Sequence, residues 1–212
     1  MQSTPRMKLL YQTHSPYARK VLVAAHEMGV AQSIEVIHHE TSPLLCNDDV
    51  SALNPLGKVP VLIDADGSVL FDSDVICAYL DGLHAGPKLI PAAAPQRFRA
   101  LRMQALAQGI ADAGIAVRWE EERRPPPLRW PAFRDGQLRK IALACDFAEN
   151  VIDATRPLDI GDVALATALS WIEFRDVHAF AAGRPRLADW YARFCDRPSM
   201  QATSLSGDTH DH

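Results

Sequence analysis

The sequence predicts an α/β N-terminal domain of βαβ–ββα order followed by an all-α helical-bundle C-terminal domain. Three observations carry this. Short apolar runs and helical patterns alternate over the first part of the chain, divided by turn signals. Gly86-Pro87 then marks a change of character. Beyond residue 90 apolar residues recur at helical spacing and no strand pattern of any strength occurs. The expected domains are residues 7–84 and 92–204.

Met7 to Tyr11 reads as a strand. Gln-Thr-His-Ser15-Pro16 follows as a turn and helix start. Proline suits the first helical position, where its missing N–H would be unpaired anyway. Ser15 then falls at the N-cap. Val21, Leu22, Ala25 and Met28 give the helical period, and Gly29 stops it. Ser33 to Ile37 reads as a second strand. Thr41 to Leu53 is polar and weakly helical, and Asn54-Pro55-Leu56-Gly57 is a turn. Val59 to Ile63 reads as a strand in which Pro60 must lie at an edge or a start, because it cannot donate to a ladder. Asp66-Gly67 is a hairpin signal and Ser68 to Phe71 the return strand. Asp72-Ser73 opens a helix to about Leu83. The βαβ–ββα order is the thioredoxin-like arrangement.

In the second half, Leu106, Ile110, Ala113 and Val117 share one helical face. Leu138, Ile141, Cys145, Ala148 and Ile152 share another, after a proline-rich break at Arg124 to Pro127. A third helix starts near Asp159, and a fourth covers Arg186 to Cys195. Residues Ser204 to His212 are expected to be disordered.

Composition narrows the function classes. With 48% hydrophobic and 23% charged residues the 212-residue chain is an ordinary globular protein rather than a disordered one. A net charge of −4 gives no general pull toward nucleic acid or anionic lipid, so neither is an expected partner. There is no run of about 18 apolar residues, so no membrane span is expected. MQSTPRMKLL lacks the apolar stretch of a signal peptide, and the cytoplasm is the expected compartment. The four cysteines, Cys46, Cys77, Cys145 and Cys195, form no C-x-x-C pair and suit no zinc site. They read as free thiols, and no metal is expected.

Each candidate site residue has a plain reading beside a chemical one. Ser15 as an N-cap contributes about 1 kcal/mol to helix stability. The same place favours an anion, because unpaired N–H groups and the positive dipole end meet there. A free thiol has a pKa of about 8.5, and lowering it by two units takes about 2.7 kcal/mol. One charge-assisted hydrogen bond, about 1.5–3 kcal/mol, plus a helix end, up to about 2 kcal/mol, can supply that. Val59-Pro60 is an edge device or a cis peptide. In the second case the Val59 N–H and C=O would pair with an extended peptide, as an added strand does. Asp72-Ser73 is a helix cap, or a seat for an α-amino-acid end with donors for the carboxylate and an acid for the ammonium. Lys58 is a solvated lysine or a partner for a second carboxylate. Arg118, Trp119 and Glu120 form an exposed charged helix end or line a pocket between the two halves. Asp159-x-x-Asp162 is read as structural, a capping-box variant.

Four motifs in order resemble one family. Ser15-Pro16-Tyr17-Ala18-Arg19-Lys20-Val21 resembles the Ser-Pro-Phe-x-x-Arg-Val signature of serine-type glutathione S-transferases. Asn54 to Leu62 is similar to that family's Asn-Pro-x-Gly-x-Val-Pro segment. Leu70 to Leu80 resembles its acid-Ser, Ile, Tyr-Leu helix, and Leu158 to Leu165 its helical-domain folding motif. The resemblance runs from about residue 7 to 200, with a flavour similar to the bacterial YibF-like subgroup.

The resemblance implies glutathione as co-substrate. Ser15 would hydrogen-bond its sulfur and Val59 its cysteinyl backbone, with Pro60 cis. Asp72 and Ser73 would hold the γ-glutamyl end, and Lys58 would reach the glycyl carboxylate. Arg118 and Trp119 would face a hydrophobic electrophile. The family is usually dimeric, so a homodimer is expected, with conjugation of electrophiles and a detoxifying role. Two other readings stand beside this: a non-catalytic protein-binding scaffold of the starvation-protein type, and a glutathione-dependent peroxidase. Serine rather than cysteine at position 15 disfavours thiol exchange. Asp159 and Gly161 depart from the family's commoner Ser or Thr and Ala, which bears on folding.

Overall fold

The computed structural model describes residues 6–208. The readings of the first ten residues and of the disordered end rest partly on residues 1–5 and 209–212, which lie outside the described residues. The chain divides into two compact units. One runs up to Ile90 and takes in the chain from Ala202 onward; the other is Pro91–Gln201.

The first unit has the thioredoxin-like order. It contains β1 (Met7–Tyr11), α1 (Pro16–Glu27), β2 (Ile34–His38), α2 (Asp48–Leu53), β3 (Val61–Ile63), β4 (Val69–Leu70) and α3 (Ser73–Gly82). The sheet order is β2-β1-β3-β4. β1 and β2 are parallel, with Leu9 opposite Val36. β3 runs antiparallel to both neighbours, with Leu10 opposite Val61 and Leu62 opposite Leu70.

Successive strand residues face opposite sides of a sheet. Leu10 and Val61 meet Val50 and Leu53 of α2, with Val59, Ile63 and Val69 in the same cluster. Leu9 and Leu62 face the other way and are fully buried. α1 and α3 pack against each other. Each such leucine contributes about 1.5–3 kcal/mol relative to exposure.

Local chemistry sets the boundaries. Gly29, at φ +72°, lets the chain leave α1 in the left-handed region. Val30 leads into a single tight turn, Ala31–Ser33, so β2 starts one residue later than the pattern suggested. β3 starts at Val61, because Pro60 has no N–H to enter the ladder. The expected helix over 41–53 forms only from Asp48. Asn47 caps it by accepting from the Val50 N–H at 3.1 Å. Upstream, Ser42 and Leu45 form an isolated bridge.

The second unit is helical throughout its regular structure. It comprises α4 (Ala94–Arg118), α5 (Pro131–Val151), α6 (Ile160–Phe174), α7 (Pro185–Cys195) and α8 (Pro198–Gln201). α6 is buried on every side from Ile160 to Ile172, as the central helix of a bundle must be. It presses closely on α4. A Cβ at Gly161 would lie 2.7 Å from the Ala100 carbonyl oxygen, and one at Gly114 would lie 2.5 Å from Ile172 Cδ1. The Asp159 capping box is present in full: Asp159 Oδ1 accepts from Gly161 N–H at 2.9 Å, and Asp162 Oδ2 accepts from Asp159 N–H at 3.1 Å. Arg156 binds both carboxylates.

Two expectations need correction. The end of α4 is not simply an exposed charged turn. It widens into a π-helical turn, Trp119–Arg123, in which Glu120 is buried. Glu120 accepts from the Trp130 N–H and from Arg124 Nε, and the Trp130 N–H holds its carboxyl below the usual carboxylate range. Nor do residues 204–208 lack fixed structure: the Ser206 N–H donates to the Thr13 carbonyl at 3.2 Å. A backbone bond to a residue so distant in sequence carries no local pattern.

Candidate functional site

Topology gathers the sequence-predicted residues of the first unit at one end of the sheet. β1 ends at Tyr11, and the turn that follows leads to Ser15. Val61, beside Leu10, is the first residue of β3, so Val59-Pro60 enters at that same end. β4 runs antiparallel to β3 and leaves toward that end, delivering Asp72 and Ser73. The N-termini of α1 and α3 therefore both open there. Sequence position separates these residues by nearly the whole unit; strand direction alone brings them together.

Ser15 is buried and extended, at φ −86° and ψ 121°. Its Oγ accepts from the Ala18 N–H at 3.2 Å, so the cap is real. A serine hydroxyl carries two lone pairs and one proton. Acceptance from Ala18 occupies a lone pair and leaves the O–H proton to donate. The cap role and the anion-donor role are thus compatible in one group. The turn beneath it is braced. Ser15 N–H donates to the Gln12 carbonyl at 3.1 Å, and the buried Gln12 side chain donates to Glu40 Oε2 and to the Thr41 carbonyl, each at 3.0 Å.

The Val59–Pro60 peptide is cis. Val59 and Pro60 are buried. Among the described residues no hydrogen bond forms to the Val59 N–H or C=O. Asn54 Nδ2 donates to the Lys58 carbonyl at 2.9 Å and so fixes the approach to that peptide. The Lys58 side chain is exposed.

Asp72 caps α3, its Oδ1 accepting from the Asp74 N–H at 3.1 Å. The Phe71–Asp72 peptide is also cis. Ser73 is 1% exposed, and its Oγ has no partner among the described residues. A buried hydroxyl left unsatisfied costs about 1–3 kcal/mol. Ser73 thus has an unused hydroxyl at the start of α3.

Several contributors escaped the sequence reading. Lys20 is buried in α1 and pairs with Asp74 of α3, tying the two helix starts together. A lysine in a helix start carries no signal of burial in its pattern. Tyr79 donates to Asp64, which pushes its phenol up to about 12 and pins α3 to the end of β3. Burial pushes the Cys77 thiol up to about 12 and the Cys145 thiol up to about 11, so neither is a thiolate at neutral pH. Arg118 and Trp119 belong to the second unit. Arg118 Nε lies 2.8 Å from Glu122 Oε2, and the Arg123 guanidinium stands 5.8 Å from the Trp119 ring centre. Among the described residues no group of three or more His, Cys, Asp or Glu is placed to hold a metal. No helix of the described residues is long and apolar enough to cross a membrane.

Comparison with known proteins identifies the family. The family model for the glutathione S-transferase N-terminal domain matches residues 14–83. The GST-like protein YibF of Escherichia coli K12 is 31% identical over 202 residues, covering 93% of this chain and 98% of that protein. The chain belongs to the glutathione S-transferase family. A crystal structure of a glutathione transferase family member from Pseudomonas fluorescens Pf-5, with bound glutathione, superposes with a TM-score of 0.91 at 38% identity. It covers 95% of this chain and 100% of that one. A stringent starvation protein A homologue from Pasteurella multocida is 27% identical over 90% of this chain and 86% of that protein. This glutathione S-transferase family member is thus similar both to a family member with bound glutathione and to a stringent starvation protein A homologue.

Proposed function

We propose that this family member binds glutathione at the convergent end of the first unit's sheet, stabilises its thiolate at Ser15, and conjugates it to electrophilic small molecules. The observation that carries the reading is the meeting of three unspent groups there. These are the Ser15 hydroxyl proton, the Val59 backbone pair and the orphaned Ser73 hydroxyl. Their order matches a γ-linked tripeptide laid across the sheet end. Ser73, with the N–H groups opening α3, receives the γ-glutamyl carboxylate, and the second Asp72 oxygen receives its ammonium. Val59 pairs with the cysteinyl backbone across Pro60. The thiol then falls at Ser15, and exposed Lys58 reaches the glycyl carboxylate. The glutathione-bound relative supports the same ligand.

The chemistry is nucleophilic addition or substitution. Ser15 donates to the sulfur, which favours the thiolate over the thiol. The thiol proton passes to solvent. The electron pair on sulfur then forms the carbon–sulfur bond while the leaving group, or the ring oxygen of an epoxide, takes the pair of the bond that breaks; in an unsaturated carbonyl the π pair shifts to the carbonyl oxygen, and the adduct takes a proton from solvent. Arg118 and Trp119 are assigned to the electrophile, and the chain is assigned to a cytoplasmic homodimer; light scattering tests the latter.

Calorimetry with glutathione and turnover against aryl halides, epoxides and unsaturated carbonyls test the reading. Ser15→Ala lowers turnover more than glutathione affinity. Unchanged turnover across all three classes removes Ser15 from its role. A second reading, a non-catalytic protein-binding scaffold, draws support from the starvation-protein similarity. Absence of glutathione binding at millimolar concentrations selects it.

A further inference from the structure

We propose that the segment Thr203–Gly207 is a positioning strap for the turn that carries Ser15, setting how strongly that turn activates a bound thiol. The proposal rests on the reading of Ser15 given above.

The strap touches the turn on both sides of Ser15. Two residues before it, the Thr13 carbonyl accepts from the Ser206 N–H at 3.2 Å. One helical turn after it, the buried Arg19 brings Nε to 3.5 Å from Thr203 Oγ1. Arg19 is itself bonded to Ser15, its N–H donating to the Ser15 carbonyl at 3.0 Å. Gly207 has φ +78°, which suits glycine, and a Cβ there would lie 3.3 Å from Thr13 Oγ1. The close approach at Thr13 is therefore built on a residue without a side chain.

The opposite side of the turn is already held. Gln12 is locked to Glu40 and Thr41 through its side chain. Between Gln12 and Ser15 lie only Thr13 and His14. The direction of the Ser15 hydroxyl depends on the peptide planes of those two residues. The Gln12 anchor fixes the turn's entry, and the Ser206 bond fixes the Thr13–His14 plane. A catalytic donor must be held to within about 0.5 Å of its productive geometry. Without the strap the plane has one restraint fewer, and the hydroxyl samples directions away from the sulfur.

Two full-length variants separate a strap from a passive contact. Ser206→Pro removes the donor, whereas Ser206→Ala keeps it. The thiolate of bound glutathione is titrated by its ultraviolet absorbance, and kcat and KM are measured in parallel. The proline variant raises the thiol pKa by about half to one unit and lowers kcat about threefold to tenfold, with KM for glutathione within about twofold. The alanine variant retains the wild-type values. If Ser206→Pro does not fold, Gly207→Val, which drives a side chain onto Thr13, is read in the same way.

An unchanged thiol pKa and kcat in the donor-less variant overturns the strap. Failure of the underlying reading looks different: the wild-type chain then leaves glutathione unbound or its thiol pKa unshifted. In that case the strap is judged by hydrogen exchange at the Ala18 N–H, whose acceptor is Ser15 Oγ. Faster exchange in Ser206→Pro supports it, and equal exchange in the two proteins sinks it.

Discussion

Glu149 Oε2, on α5, accepts the backbone N–H of Leu187 at 2.7 Å, and Oε1 of the same carboxylate accepts from Arg186 at 3.2 Å. α7 lacks a side-chain cap of its own, since Arg184 at its N-cap makes no such bond. One helix thus caps another. Glu149→Ala leaves two donors at the start of α7 without that acceptor and costs about 1–2 kcal/mol. Thermal unfolding should show a lowered midpoint, with Glu149→Gln intermediate because the amide oxygen still accepts one bond. Equal midpoints for all three proteins would show that solvent serves α7 as well.

The α4–α6 contact depends on Gly114 and Gly161. At Gly161 the added methyl meets a backbone oxygen, which cannot swing aside; at Gly114 it meets the side chains of Ile172 and Trp171. Gly161→Ala and Gly114→Ala each destabilise by about 1–3 kcal/mol. Urea unfolding should report a lower midpoint with the slope preserved.

The Lys20–Asp74 pair is asymmetric, with side chains 4% and 39% exposed. Removing Asp74 leaves a buried ammonium, whereas removing Lys20 leaves a carboxylate that water can reach. Asp74→Ala is therefore more damaging than Lys20→Met; breaking a buried pair costs about 3–5 kcal/mol at full burial, and less here because Asp74 is partly solvated. The reverse order of stabilities in a denaturant titration would contradict this account.

His178 supplies a pH dependence. Burial holds its imidazole below the ordinary value; the nearby Arg184 acts in the same direction and Asp146 against it. A folded-state pKa below the unfolded value of about 6.5 means that the unfolded chain takes up the proton first as pH falls. The stability from neutral His178 is complete above that value and is lost below it, down to the lower folded-state pKa. His178→Asn should flatten this part of the stability–pH curve. Parallel curves for the two proteins would assign the slope elsewhere.

The legible parts of this molecule were those with local causes. Ser15, Asp72 and Asp159 announced their helices because a short polar side chain before a periodic run has few other uses. β1 ended where its apolar run ended, and Pro60 barred its own entry to β3. The buried state of Lys20, Glu120 and Arg19 was illegible, because a charged residue is buried only when a distant partner arrives. Asp74, Trp130 and Thr203 lie 54, 10 and 184 residues away respectively.

The sequence by itself determined the two-part architecture and the capped starts of α1, α3 and α6. Those follow from periodicity, capping and backbone donors, which act over a few residues. Only the tertiary structure decided that Ser15, Val59 and Ser73 share one end of one sheet, that the Ser73 hydroxyl is left without a partner, and that Ser206 reaches Thr13. Strand direction and long-range hydrogen bonds set those relations, and they exist only once the chain has closed on itself.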